Sequence, residues 1–320
     1  FYIVTYLYIE VILLKADAVF EGGGIKGIGL IGAVCYFEKM GYRWNRFAGT
    51  SAGAIIASLL AVGYTGEELK NIMMNLDEKM FLKKKDIWKI SMIKKTISLF
   101  KDKGIYSTGA IEKYIEELLL KKGKVTFGDI STDNKSPLKI IASDVTKKSM
   151  LILPDDLVNY GINPMKFKIA EAVRMSISIP LYFKPVKLYY GNKYSYIVDG
   201  GLLSNFPIWI FDTKDIPAWP TIGFKLTEKN VNHNESKKMD FISYLFDIIG
   251  TIFDKNEEVY VKDKYAVRTV FIPTLGVKTT EFNISRDMRL KLFESGYKSA
   301  QRFLHLWDFD NYIREYVVEK

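Results

Sequence analysis

Two glycine-rich segments, each set between a predicted strand and a predicted helix, most restrict the fold that this chain can adopt. The first has glycine at positions 22, 23, 24 and 27, and the second is the run Gly-Thr-Ser-Ala-Gly at residues 49–53. Glycine lets the backbone turn sharply and pass close to its neighbours. In open α/β sheets such turns follow the carboxyl ends of strands, where ligands and substrates bind. The two segments therefore predict one site built from two strand-to-helix turns.

The hydrophobic pattern along the chain alternates between strand and helix. Strands are predicted at residues 18–21, 47–48, 137–144, 150–153, 222–226 and 269–272, with a hairpin over 186–198. Helices are predicted at residues 26–40, 52–62, 65–76, 107–122, 166–175, 241–253 and 285–304. Such alternation predicts an α/β fold, a three-layer α/β/α sandwich with a mainly parallel central sheet.

The chain shows no evident linker between domains. It has 320 residues, and its nine prolines are scattered. We expect residues 15–210 to form the main part of one α/β domain and residues 211–320 to complete it. Residues 1–14 are apolar but contain Glu10, lack a basic start and are shorter than the roughly 20 residues that span a bilayer. We expect them to form an added strand or a packed segment rather than a signal peptide.

The supply of cysteine and histidine narrows the chemistry of the predicted site. The chain has one cysteine, Cys35, and two histidines, His233 and His305. A single thiol forms no internal disulfide, and this usage is typical of a reducing compartment. Too few of these side chains are present to support a dedicated transition-metal site. A mechanism that needs a histidine base has only two candidates.

The first glycine segment fits more than one function. Gly22, Gly24 and Gly27 match the dinucleotide-binding pattern G-x-G-x-x-G. That pattern also predicts an acidic residue about 20 positions later, and the second strand ends without one, so a phosphate-specific variant would need Arg43 or Arg46. The backbone N–H groups of the loop could equally hold a phosphate or an oxyanion at a helix N-terminus. A nucleotide-binding domain and a plain packing turn are the alternatives.

The second glycine segment matches the nucleophile-elbow pattern G-x-S-x-G, with Ser51 between Gly49 and Gly53. This sharp turn exposes the serine hydroxyl above the sheet and leaves no room for side chains two positions to either side. The N–H of Ala52 points into the same space. Ser51 is therefore a candidate nucleophile, and a helix N-cap serine is the alternative.

A serine nucleophile needs a base, and the two histidines are poorly placed to supply one. His233 lies in a polar predicted loop, and His305 follows the apolar positions of the last long helix. Asp199 ends a predicted strand and precedes Gly200 and Gly201, which permit close approach of the backbone. Burial beside the serine would raise the pKa of this carboxyl above its ordinary value of about 3.9. A simple Asp-Gly-Gly turn is the alternative.

Taken in order, residues 22–27, 49–53 and 199–201 resemble the motifs of the patatin-like phospholipase family. The resemblance extends from about residue 16 to 205 and includes residues 170–180, before the aspartate. It implies that residues 15–210 are a catalytic domain. It also implies a lipid acyl hydrolase of phospholipase A or lysophospholipase type, which cleaves carboxylic esters through a Ser–Asp dyad and an acyl-enzyme.

Carried over by position, the resemblance implies that Ser51 is the nucleophile and Asp199 the base. It also implies an oxyanion hole made of backbone N–H groups, at Gly22, Gly23, Gly24 and Ala52. Lys26 and Arg174 are candidates for contact with a lipid headgroup or for support of the loops, and a solvated lysine is the alternative for Lys26. The family mechanism requires no metal and no other cofactor.

One lysine-rich segment carries most of the net charge of +9. Residues 83–103 contain eight lysines and two aspartates, a local charge of +6, with Trp88 and apolar residues at helical spacing. A basic helix with aromatic residues is typical of an interfacial segment attracted to anionic lipids. We predict a basic cap segment that contacts a membrane, with a helix packed over the site as the alternative.

The expected partner of the chain is therefore a membrane phospholipid or another lipid ester. No nucleic-acid recognition motif accompanies the lysines, so we expect no nucleic-acid partner. We expect a cytoplasmic protein that binds peripherally to a membrane. A catalytically inactive, membrane-associated interaction protein is the remaining alternative.

Overall fold

A computed structural model of the chain describes residues 14–75, 101–228, 263–277 and 284–318, together with six isolated positions between 244 and 281. Three predictions lie wholly or mostly outside the described residues. They are the segment at 1–14, the basic segment at 83–103 and the helix at 241–253.

The central sheet confirms the predicted, mainly parallel arrangement. The strands are β1 Leu14–Phe20, β2 Tyr42–Thr50, β3 Gly104–Tyr106, β4 Leu138–Asp144, β5 Ser149–Leu153, β6 Leu181–Phe183, β7 Val186–Tyr190, β8 Lys193–Asp199, β9 Thr221–Thr227 and β10 Thr269–Pro273. Eight strands form one sheet in the order β10-β9-β1-β2-β4-β8-β7, with β5 paired to β4. The first five in that order run parallel, whereas β5, β7 and β8 are antiparallel to their neighbours.

Six of the eight described helices lie close to predicted positions. The eight are α1 Ile28–Lys39, α2 Ala52–Ala61, α3 Gly66–Met74, α4 Gly109–Lys121, α5 Ile169–Ser176, α6 Asp263–Ala266, α7 Arg286–Leu306 and α8 Phe309–Ile313. The short helices α6 and α8 were not predicted. A capping box begins α3, because Thr65 Oγ1 accepts the N–H of Glu68 and the Glu68 carboxylate accepts the N–H of Thr65. Within the described ranges, none of these helices has the length and apolar character needed to cross a bilayer.

Two helix starts differ from their predicted form. The helix predicted at 107–122 begins at Gly109 with Thr108 at its N-cap position, and Ser107 Oγ accepts the N–H of Gly109 at 3.2 Å. The predicted helix at 26–40 opens as a 3-10 turn over Gly24–Gly27 before α1 begins. That tighter turn keeps the glycine backbone close to the end of β1.

The two faces of the sheet bury different residues, as the period-two alternation of a strand requires. On β1, Ala18 and Phe20 face the larger core, which α1, α2, α3 and α7 complete. Val19 faces the opposite side and packs in a second cluster, with Ala48, Phe206, Ile208, Phe211 and Tyr265. The sheet is covered on both faces, which confirms the predicted three-layer α/β/α sandwich.

The sheet brings the two glycine segments and Asp199 to one edge. β1 and β2 are parallel neighbours, with Phe20 beside Gly49, so the turns that follow them lie side by side. Thr50 pairs with Ile141 of β4, and the adjacent Ala142 pairs with Asp199. Because β8 is antiparallel to β4, Asp199 ends its strand next to the end of β2. Strands β9 and β10 extend the same sheet from β1.

Candidate active site

The turn that carries Ser51 has the strained geometry of a nucleophile elbow. Ser51 has φ of 53°, in the left-handed region that L-residues rarely adopt, and caps the N-terminus of α2. A Cβ on Gly49 would lie 2.3 Å from the carbonyl oxygen of Gly53. A Cβ on Gly53 would lie 2.4 Å from the carbonyl oxygen of Phe20. The elbow therefore exists only because both flanking residues are glycine.

We expect Gly53→Ala to destabilise the fold by about 1–3 kcal/mol or more, because overpacking forces rigid backbone apart. The added methyl would also meet the carbonyl oxygen of Glu21 at 2.6 Å. Gly109→Ala is the matched control, since a Cβ there meets only Ser107 Oγ at 3.4 Å. Urea unfolding of both variants measures the effect, and equal midpoints for the two would contradict the packing argument.

The Ser51 backbone is held by a side chain from α5. The Ser51 N–H donates to Ser176 Oγ at 2.9 Å, and the Ser176 hydroxyl donates to the carbonyl of Ile141 at 2.6 Å. All three residues are buried. Ser176 therefore couples the elbow to β4 and occupies the N–H of Ser51, which leaves the next N–H, that of Ala52, to face the site.

The first glycine segment supplies backbone N–H groups next to this elbow. Gly24 has φ of 56°, and a Cβ there would lie 2.2 Å from the carbonyl oxygen of Thr279. Within the described residues, no backbone acceptor is found for the N–H groups of Gly23, Gly24 or Ala52. Such N–H groups at helix starts lack intrahelical acceptors and can bind an anion.

Gly22 differs from the other candidates for the oxyanion hole. Its N–H donates to the carbonyl oxygen of Asn205 at 3.0 Å, so the prediction that this N–H is available as a donor is wrong. The Asn205 side chain returns a hydrogen bond from Nδ2 to the Gly22 carbonyl at 3.3 Å. Gly22 and Asn205 thus hold the glycine loop against the chain that follows Asp199.

Asp199 is fully buried beside Ser51 and Gly201. Burial raises the pKa of its carboxyl from 3.8 to about 7, while hydrogen bonds from the Gly201 N–H and the Ser51 side chain partly oppose that rise. Oδ1 accepts the Gly201 N–H at 2.8 Å. Apart from the Ser51 side chain, no described residue gives Oδ2 a hydrogen bond. The site therefore holds a carboxyl group whose pKa is near neutral pH and which has one oxygen free to accept a proton.

A second contact explains why the Asp-Gly-Gly segment has glycine after the aspartate. A Cβ on Gly200 would lie 2.3 Å from the carbonyl oxygen of Ile141. Asp199 itself is anchored by its N–H, which donates to the carbonyl oxygen of Ser178 at 2.9 Å. The carboxyl group is thereby fixed by β4 on one side and by the segment after α5 on the other.

Ser51 lies where an apolar cavity meets a polar one. The apolar cavity measures about 80 Å³ and is lined mainly by aliphatic and aromatic side chains, together with residues that include Gly24 and Ala52. The polar cavity measures about 410 Å³ and is lined in part by Glu21, Lys26, Asn205, Lys225 and Glu228. Ser51 and Ile179 line both. A molecule with an apolar chain and a polar end can therefore present the bond between them to Ser51.

The lysines of the polar cavity are paired with carboxylates. Lys26 is 4% exposed and its Nζ lies 3.0 Å from Glu228 Oε1, so the solvated alternative for Lys26 is wrong. Lys225 Nζ lies 3.1 Å from Glu21 Oε1, and both side chains are buried. The cavity therefore presents two ion pairs beside the nucleophile rather than a single positive charge.

Arg174 lies away from both cavities and supports the helices behind the site. Its Nη1 lies 2.9 Å from Glu112 Oε2, which joins α5 to α4. Its carbonyl oxygen accepts the Ser178 hydroxyl at 2.7 Å. This position agrees with support of the loop before Asp199 and gives Arg174 no place in the lining of either cavity.

The arginines that a nucleotide phosphate would need do not lie at the edge of the sheet that carries the glycine loop. Arg43 is near the amino end of β2 and Arg46 is in its middle, whereas the glycine loop follows the carboxyl end of β1. Arg46 Nη2 is also paired with the buried Asp17 at 2.6 Å. The phosphate-specific nucleotide alternative is therefore not supported. The structure also brings together no group of three His, Cys, Asp or Glu side chains that could hold a metal, as far as the described residues extend.

The sequence interpretation missed several residues of the site. Ser176 lies within the 170–180 segment, but its role in holding the elbow had no signal of its own. Asn205 and Glu228 act through partners far away in sequence, and Glu228 is 202 positions from Lys26. A charged residue directly after a buried strand at the carboxyl edge of the sheet is the signal that could have identified Glu228.

Over 298 residues the chain is 39% identical to the uncharacterized protein YqhO of Bacillus subtilis (strain 168), covering 92% of this chain and 99% of that protein. Over 193 residues it is 27% identical to a probable lipid hydrolase, 463L, of Invertebrate iridescent virus 6, covering 59% of this chain and 61% of that protein.

A solved structure shares the fold at low identity. The chain superposes on VipD from Legionella pneumophila with a TM-score of 0.55 and 18% identity, covering 91% of this chain and 66% of that one. Residues 18–212 match the Patatin-like phospholipase family, and that range contains both glycine segments and Asp199. The chain thus belongs to the patatin-like phospholipase family of lipid hydrolases.

Proposed function

We propose that the chain is a lipid acyl hydrolase of phospholipase A or lysophospholipase type, acting through a Ser51–Asp199 dyad. The observation that carries this proposal is the position of Ser51 between an apolar and a polar cavity, beside a buried carboxyl whose pKa is raised to about 7. A general base works best when its pKa lies near the operating pH. An aspartate in this environment can act as the base in place of a histidine, and none of the described residues that line the two cavities is a histidine.

In the first half of the reaction, ionised Asp199 takes the proton from Ser51 Oγ. The oxygen attacks the ester carbonyl carbon, and the electron pair of the C=O bond moves to the carbonyl oxygen. Backbone N–H groups of Gly23, Gly24 and Ala52 donate to this oxyanion. The intermediate collapses, the bond to the alcohol breaks, and Asp199 returns the proton to the departing alcohol. Ser51 is left acylated.

In the second half, water replaces the alcohol. Asp199 takes one proton from the water, whose oxygen attacks the acyl carbon, and the same oxyanion donors act again. Collapse of the intermediate breaks the bond to Ser51 Oγ, which receives the proton from Asp199. The products are a free fatty acid and the original enzyme, so protons and atoms balance over the cycle.

The two cavities support a division of the substrate at Ser51. The apolar cavity would take the acyl chain, since its lining exposes almost no polar atoms. The polar cavity would take the alcohol portion, where the pairs Lys26–Glu228 and Lys225–Glu21 offer both donors and acceptors. Lys26 would then contact the headgroup only if its ammonium group bound the headgroup together with Glu228 or left Glu228 altogether.

The proposal is tested by incubation with phospholipid vesicles and with water-soluble short-chain esters. Release of free fatty acid from the lipid, together with labelling of Ser51 by a fluorophosphonate, supports a serine lipid acyl hydrolase. Hydrolysis by a protein that the fluorophosphonate does not label, or a label on a residue other than Ser51, contradicts the assignment of the nucleophile. Binding of NADP without hydrolysis would favour the nucleotide-binding alternative instead.

We expect Ile115→Phe to shift the chain-length preference toward shorter acyl groups. Ile115 lies on α4, is 2% exposed and lines the apolar cavity, so a larger ring there fills space that a long chain would need. The ratio of kcat/KM for palmitoyl over butyryl esters should fall by about tenfold, the effect of losing one or two methylene contacts. The butyryl ester is the internal control. An unchanged ratio would mean that the acyl chain does not occupy this cavity.

A further inference from the structure

The hairpin of β7 and β8 has an outer face of tyrosine and lysine that the reaction does not use. In the antiparallel register Lys187 lies opposite Tyr196, and Tyr189 lies opposite Tyr194. The residues between them along each strand point inward and are buried. Tyr189 is 64% exposed and Tyr194 is 40% exposed. These rings are therefore not required by the hydrophobic core.

The side chains of this face pack on one another in a continuous row. The ring centroids of Tyr189 and Tyr194 are 5.7 Å apart, and those of Tyr194 and Tyr196 are 5.2 Å apart. Lys187 Nζ lies 4.5 Å from the Tyr194 ring centroid, and Lys103 Nζ lies 4.7 Å from that of Tyr196. We call these five residues the tyrosine–lysine face. Tyrosine suits a boundary between water and lipid, because its ring is apolar and its hydroxyl is polar.

The charge around this face has a single sign. Residues 145–153 and 181–198 contain five lysines and neither aspartate nor glutamate. The two segments are adjacent, since the Val145 N–H donates to the Tyr196 carbonyl at 3.0 Å. Of the nearby carboxylates, Asp102 is paired with Lys184 at 2.6 Å and Asp144 is buried. The surface is therefore complementary to an anionic one.

The face lies on the same edge of the sheet as Ser51. Strand β8 pairs with the end of β4 from Ile197 to Asp199, so residues 193–196 extend beyond that edge of the sheet. Tyr194 precedes Asp199 by five residues, about 17 Å along a strand. A flat surface that contacts the hairpin would thus meet the protein on its active-site side.

We propose that the tyrosine–lysine face binds the surface of an anionic lipid bilayer. The tyrosine rings lie at the level of the headgroups, and Lys103 and Lys187 contact lipid phosphates. Lys103 is the one residue that this face shares with the basic segment defined in the sequence at 83–103. The inference rests on the proposed function only in that it supplies the lipid on which a hydrolase would act.

Vesicle binding of the Ser51→Ala protein tests the face without degrading the lipid. We expect the double substitution Lys103→Gln and Lys187→Gln to weaken binding to phosphatidylglycerol vesicles by about 30-fold, since each lysine near an anionic surface contributes about 1 kcal/mol. The matched control replaces Lys135 and Lys214, which are exposed in loops that precede β4 and β9 at the opposite edge. That pair should change binding less than twofold.

Tyr189→Ser with Tyr194→Ser should weaken binding to both phosphatidylcholine and phosphatidylglycerol vesicles, because it removes the apolar part of the contact. Equal losses for the two lysine pairs, an unchanged tyrosine variant, or no vesicle binding by the parent protein would each overturn the proposal.

The same variants with Ser51 restored separate this inference from the proposed function. Hydrolysis of a soluble butyryl ester should match that of the parent, which also shows that the variants fold. If the protein hydrolyses esters but substitutions in the tyrosine–lysine face leave vesicle binding unchanged, only the docking surface is overturned. Loss of vesicle binding in a protein that hydrolyses no ester would support the docking surface and overturn only the proposed function.

Discussion

Replacement of Ser51 by alanine is expected to lower kcat for ester hydrolysis by on the order of 10⁵ to 10⁶-fold, the scale seen when a covalent nucleophile is removed. Two hydroxyls next to Ser51 are already engaged, because that of Ser176 donates to the carbonyl of Ile141 and that of Thr50 donates to the carbonyl of Ser204. Labelling by a fluorophosphonate should disappear with the activity. Both are measured on the same protein sample.

The control for this variant is Ser58→Ala. Ser58 is buried on the same helix, α2, and its hydroxyl donates to the carbonyl of Ala54 at 2.6 Å. Its loss should leave labelling and kcat within a few-fold of the parent. Residual labelling of the Ser51→Ala protein at the parent rate would mean that another residue is the nucleophile.

Asp199→Asn is expected to lower kcat by about 10⁴-fold while the fold and substrate binding persist. The amide can still accept the Gly201 N–H, which now donates to Oδ1 at 2.8 Å, but it cannot take the proton of Ser51. Asp144→Asn is the matched control, because Asp144 is also a fully buried carboxylate that accepts backbone N–H groups near the end of β4. Activity of Asp199→Asn within tenfold of the control would contradict the dyad.

The same substitution should stabilise the protein above neutral pH. The folded-state pKa of Asp199 is about 7, above its ordinary value of 3.8, so the folded protein holds a proton that the unfolded chain releases. Stability from this group is present below pH 4 and is lost as the pH rises through 7, by about 1.4 kcal/mol for each unit of pKa difference. Asparagine does not titrate. Urea unfolding of the variant and the parent should therefore diverge from pH 4 to pH 8, and a gap independent of pH would contradict the raised pKa.

Local constraints explain why the elbow and the Asp-Gly-Gly segment were predictable. Gly49 and Gly53 are required by backbone atoms within five residues or on the adjoining strand, and Gly200 is required by β4. Such requirements leave a pattern of residue types at fixed spacing. The same holds for the capping box at Thr65, which joins residues three positions apart.

Tertiary contacts explain what could not be predicted. The N–H of Gly22 is bound by Asn205, and Lys26 is paired with Glu228, because the strand order brings β9 beside β1. The spacing of these residues in the sequence does not indicate that they lie next to each other in the fold. The tyrosine–lysine face was missed for a different reason. Its alternation is visible in the hairpin, but Lys103 joins it from a distant part of the sequence, and the lysines are denser in the 83–103 segment.

The pH dependence of the rate at which a fluorophosphonate labels Ser51 tests the central claim most directly, because that reaction needs the serine and its base but no lipid surface. With Asp199 as the base, labelling should rise with pH and reach half its maximum near pH 7, the folded-state pKa of about 7 for this carboxyl. In Asp199→Asn the rate should be low and show no such inflection. An inflection that persists in the variant, or a parent profile that is already at its maximum near pH 5, would contradict Asp199 as the base of the dyad.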